Sequence, residues 1–132
     1  MAFDLGRLID PQRTALVTQE CQRAVIGDLS ALPELAAAAQ DGMLENVARL
    51  VETARGAGVP VIHCLALRRP DGRGANANAR LFGYMAKSEN PLHPGSDAAA
   101  LVPEIPTDDS DIVLTRLHGL SPFHGTELDF VP

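Results

Sequence analysis

Tryptophan is missing from this sequence, and Phe and Tyr together make up only 4% of it. So aliphatic a composition suits helices packed on a parallel sheet better than a β-sandwich, whose core leans on aromatic side chains. Basic runs are lacking as well. The 11 Lys and Arg stand against 17 Asp and Glu, a formal net charge of −6, so neither nucleic acid nor an anionic membrane is an expected partner. Cysteine occurs twice, at Cys21 and Cys64, each inside a strand-like run. That usage excludes a disulfide framework and fits buried, reduced residues of a cytoplasmic protein. No apolar run approaches the roughly eighteen residues of a membrane span, and MAFDLGRLID carries no signal-peptide pattern. RGAN at 73–76 has neither the Lys-Ser/Thr of a P-loop nor a GxGxxG, so no nucleotide cofactor is expected.

What is present fits a single α/β domain of 132 residues. Residues 1–13 read as a lead-in with a turn signal at Asp10-Pro11. TALVTQ (14–19) is the first strand. Residues 23–42 form a loop with helical turns, interrupted by Pro33 and Gly42. From Met43 the period becomes helical: Met43, Leu44, Val47, Leu50, Val51 and Ala54 make one face, with Asp41 as N-cap and Gly56 or Gly58 as terminator. VPVIHCLAL (59–67) is the second strand, which completes a βαβ unit. ARLFGYMAK adds a short helix. DIVLTR (111–116) is the third strand, and TELDFV begins another helical turn. Three short parallel strands leave two unpaired edges, so the expectation is the front portion of a doubly wound domain, prone to self-association.

Ligands of open α/β sheets bind beyond the carboxyl ends of the strands. Glu20 follows the first strand, the pair Arg68 and Arg69 follows the second, and Arg116 ends the third. A carboxylate and a guanidinium from different strand ends of one sheet can meet there. Position alone leaves a catalytic role and a structural ion pair both open.

Three stretches carry a family resemblance: ALVTQECQ, ENVARLVETARGAGVPVIH and DIVLTRLHGLSPFHGTELD. Together they resemble the isochorismatase-like cysteine hydrolases. The last is the most specific, with Ser121, Phe123, Gly125, Thr126 and Leu128 in place and Asp129 behind them. The resemblance implies a Rossmann-like parallel sheet of about six strands with helices on both faces. Residues 1–132 are then the N-terminal part of one such domain, holding three of those strands. It also implies hydrolysis of a small amide-like (C–N) or enol-ether substrate by an Asp, Lys and Cys triad, without a cofactor. Glu20 stands at the Asp position and Arg116 at the Lys position; the nucleophilic Cys of the family lies beyond Pro132. Gln22, Arg68, Arg69, His118 and Phe123 become the expected substrate contacts.

Neither cysteine is an expected nucleophile. Cys21 follows Glu20 directly and points to the opposite face if both keep strand geometry, and Cys64 sits inside a core strand. His63 reads as a packed, hydrogen-bonded strand residue. LALRRPDG lacks the Asp-x-His pattern of metal-bearing relatives such as nicotinamidases, and His118 and His124 have no further ligand at zinc spacing, so no metal is expected. Either histidine suits the mouth of a cleft, and Ser121 before Pro122 reads as a turn residue. Two functions follow. One is a hydrolase whose nucleophile lies outside these residues; the other is a non-catalytic protein of the same fold that binds a small ligand or serves in an assembly. A homo-oligomer or a complementary fragment is the expected partner in either case.

Overall fold

The Val- and Ile-rich runs form three strands in the computed structural model, which describes residues 4–7 and 9–131: β1 (Leu16–Gln19), β2 (Val61–Ala66) and β3 (Ile112–Arg116). They lie parallel in the order β1-β2-β3, with Leu16 opposite Val61 and Ile62 opposite Ile112. The outer edges of β1 and β3 have no strand partner among the described residues, so the sheet is open. Part of the expected lead-in lies outside those residues; its described part makes the 3-10 turns Leu5–Arg7 and Pro11–Arg13.

Between β1 and β2 run α1 (Arg23–Ile26), α2 (Pro33–Ala38) and α3 (Leu44–Gly56). Pro33 sits in the first turn of α2, where its missing N–H costs nothing. The expectation of Asp41 as N-cap of α3 is corrected. Helical turns continue from α2 through Ala39–Met43, kinked at Asp41 and Gly42, so the N–H of Leu44 already bonds to Ala39 O and no side chain caps the helix. At the other end Gly58 takes the left-handed conformation (φ 72°) and donates to Arg55 O, which closes the last turn.

α3 covers one face of the sheet. Leu44 and Val51 are buried against Val61, Val102 and Ile105, with Val47 and Ala54 beside them. Each such side chain contributes about 1.5–3 kcal/mol by leaving water. Met43 and Leu50, grouped with this stripe by periodicity, are 40% and 56% exposed: three strands present a narrow face, and only part of the stripe finds it. On the opposite face Ile62 and Cys64 meet Leu128 of the 3-10 turn Leu128–Phe130 and Val131. His63 is the packed residue expected of it. Its Nδ1 pairs with Thr18 Oγ1 at 2.7 Å and its Nε2 with Asp111 Oδ2 at 3.3 Å, while Arg55 of α3 donates to Asp111 at 2.8 Å. This line of polar groups ties all three strands to α3. No helix among the described residues is long and apolar enough to cross a membrane.

Candidate active site

β1 ends by breaking its own alternation. Glu20 is the one described non-glycine residue with positive φ (53°), yet its N–H still donates to Cys64 O at 2.8 Å. Regular pleating would send Cys21 to the face of Ile62 and Cys64. The left-handed residue inverts this, and Cys21 joins Leu16 and Val61 in the cluster under α3. Glu20 is thereby freed to meet Arg116 at the end of β3, across β2. Arg116 Nη2 donates to Glu20 Oε1 and Nε to Gly119 O, and its side chain is only 3% exposed. A left-handed non-glycine residue costs about 1–2 kcal/mol, and here the surrounding pair and ladder bond hold it.

Above this pair opens a cavity of about 240 Å³. Its floor is Glu20, Ala66 and Arg116; Leu32 and Leu35 of the α2 region and Leu81, Phe82 and Met85 of α4 (Arg80–Met85) form its walls. The site is therefore a charged pair under an apolar enclosure, at the strand ends where an open α/β sheet binds ligands.

Of the expected substrate contacts, Arg68 and His118 line the cavity with Glu20 and Arg116. His118 is set by Gly125, where an added Cβ would lie 2.9 Å from its ring. Arg69 and Phe123 do not line it. Arg69 turns to Asp71, donating from Nε and Nη2 at 2.9 and 2.7 Å, and these bonds pull the Asp71 carboxyl down to about 2. Phe123 is 54% exposed elsewhere. Gln22 is fully buried, and its amide is engaged by the backbone: Nε2 donates to Ala66 O and Ala99 O, and Oε1 accepts from Ala66 N, all at 2.9 Å. It holds the floor of the cavity in place and does not face into it. Ser121 accepts from Phe123 N, as a turn residue does.

Sequence reasoning missed Asn76, whose side chain accepts from Gly119 N and pins the loop that Arg116 also grips. The sequence signal there was only the polar stretch RGAN at 73–76. Neither thiol reaches the cavity. Burial pushes the Cys21 thiol up against a weak bond to Gln19 O, and the Glu20 charge adds to the rise. Burial also raises Cys64, only partly opposed by the Arg116 charge. Both are neutral thiols at physiological pH, the opposite of an activated nucleophile. Among the described residues no three His, Cys, Asp or Glu gather as a metal site.

The model of the isochorismatase domain family matches residues 14–131. A cysteine hydrolase from Pseudomonas syringae pv. phaseolicola 1448A superposes with a TM-score of 0.71 at 22% identity, over 92% of this chain and 54% of its own. An isochorismatase family protein from Desulfovibrio vulgaris gives 0.68 at 24% identity, over 88% and 58%. N-carbamoylsarcosine amidase from Thermoplasma acidophilum gives 0.62 at 26% identity, also over 88% and 58%. This chain thus spans little more than half the length of each of these proteins. No curated protein matches it.

Proposed function

This chain belongs to the isochorismatase domain family, and on that premise we propose that it acts as a hydrolase on a small amide-like (C–N) or enol-ether substrate held above the strand ends. The observation that carries the reading is the Glu20–Arg116 pair at the floor of the apolar cavity. Glu20 serves as general acid and base, passing a proton to the leaving nitrogen or the enol-ether carbon. Arg116 keeps that carboxylate oriented through the bond from Nη2 to Oε1. The amidase among the similar structures acts, by its name, on a C–N substrate, which favours the amide class.

A thiol nucleophile is assigned to neither Cys21 nor Cys64, both buried and neutral. We read residues 1–132 as the N-terminal part of one domain, supported by matches that use 54% and 58% of the solved chains. The nucleophile then belongs to the rest of that domain, in the same or a complementary polypeptide. We further propose that the sheet edges left open among the described residues are covered by a second copy or a complementary fragment, and that the protein is cytoplasmic, which two free cysteines suit. That same lack of an activated thiol favours a second reading, a non-catalytic ligand-binding protein on this fold.

The test is a hydrolysis assay on the protein as it occurs, with the intact mass of the preparation known, against a panel of small amides and enol ethers. Turnover is expected, falling about a hundredfold or more in Glu20→Gln with the circular dichroism spectrum unchanged. Saturable binding without turnover in the wild type would overturn the hydrolase reading in favour of the second.

A further inference from the structure

The cavity wall that contains α4 hangs between two anchors. Upstream, the Asn76 side chain accepts from Gly119 N; downstream, the Asn90 side-chain amide donates to Leu29 O at 3.3 Å. Between them, residues 77–89 make one hydrogen bond to another part of the fold among the described residues: Tyr84 Oη donates to Ala31 O at 2.9 Å. No residue of α4 is buried, and no side chain caps its N-terminus. Its apolar residues Leu81, Phe82 and Met85 line the cavity. A helix of six residues is marginal by itself, so its place over the strand ends depends on these few contacts. Segments with few buried groups and few ties open locally at low free energy, and the lids of binding sites are drawn from them.

We propose that residues 77–89 are a lid that swings about the anchors at Asn76 and Asn90, and that the bond from Tyr84 Oη to Ala31 O is its latch. Ala31 directly precedes Leu32, which belongs to the other wall together with Leu35. The latch thus joins the two wall segments to each other. When it is made, the apolar side chains of α4 complete the walls above Glu20 and Arg116; when it is released, they uncover that pair. The proposal rests on the reading of this cavity as the ligand site and adds how entry to it is controlled. It assumes nothing about turnover.

Hydrogen exchange and thiol labelling of the purified protein test this together. Tyr84 is 54% exposed, so Tyr84→Phe removes the latch and little packing. Ala66→Cys sets a thiol in the cavity floor, while Cys21 and Cys64 stay buried. In Tyr84→Phe the amides of residues 80–86 are expected to exchange about fivefold faster, with those of β2 and α3 unchanged. N-ethylmaleimide is expected to label the Ala66→Cys thiol faster by about the same factor once Tyr84→Phe is added. Unchanged exchange at 80–86 overturns the proposal. So does acceleration shared equally by β2 and α3, which marks a general loss of stability, and so does labelling indifferent to Tyr84→Phe. If Ala66→Cys does not fold, the exchange comparison decides alone. No substrate enters either measurement: a lid without hydrolysis removes only the hydrolase reading, and hydrolysis without a lid removes only this proposal.

Discussion

At the scale of single residues, Gln22 carries more of the fold than its chemistry announces. Three hydrogen bonds from one buried amide join the end of β2 to Ala99. Gln22→Leu fills the same space but leaves the N–H and C=O of Ala66 and the C=O of Ala99 without partners. The expected loss of stability is about 2–4 kcal/mol, read as a lower urea midpoint at unchanged slope; a loss within experimental error would mean that water replaces the amide. Nothing in the sequence announces this clamp. A glutamine beside a strand-end carboxylate reads as a ligand contact, because the 44 residues separating it from Ala66 become adjacency only through the parallel register. Glu20 and Arg116 were legible because strand ends fix positions; the left-handed turn at Glu20 was not, since a glutamate gives no sign of it.

At the scale of elements, Asp111 joins β3 to α3 and β2. Burial by itself would push its carboxyl up. The bonds from Asp108 N, Arg55 and His63, with the charge of Arg55, outweigh burial and hold it below the ordinary value. A carboxyl with a folded value below its unfolded one adds stability that is complete above about pH 4 and disappears as pH falls through the depressed value. Asp111→Asn is therefore expected to lower stability at neutral pH and to flatten the acid limb of a plot of urea midpoint against pH. Parallel limbs for the two proteins would refute this. The strands and α3 were readable, since unbroken Val and Ile runs and a 3.6-residue period each have one simple structural solution. α1 and α2 were harder: they are too short for a period to show, and Pro33, which reads as an interruption, starts a helix. The cavity walls come largely from such segments, so the floor was foreseeable and the enclosure was not.

For the whole molecule, the decisive property is the imbalance of its surface. β1 and β3 each offer an unpaired backbone edge among the described residues, and Val17, Val113 and Phe130 are 39%, 53% and 84% exposed. Open edges flanked by apolar side chains favour association with further strands. Multi-angle light scattering is expected to show a mass above that of one chain at micromolar concentration, decreasing when a charge is placed on the edge by Val17→Lys. A single-chain mass throughout the dilution series would sink this expectation. The α/β class and the parallel direction of the strands were visible from the sequence because a strand, a helix and a strand in succession permit little else; the order β1-β2-β3 was not.

The left-handed backbone at Glu20 has a bearing on how this position can change over generations. Asparagine, aspartate and glycine enter that conformation most easily, whereas β-branched side chains are nearly barred from it. A drifting sequence is thus steered toward short carboxylates and amides at position 20 by sterics alone, before any selection for reactivity acts. Glutamate is not among those residues, so shortening the acid at position 20 would ease the backbone there.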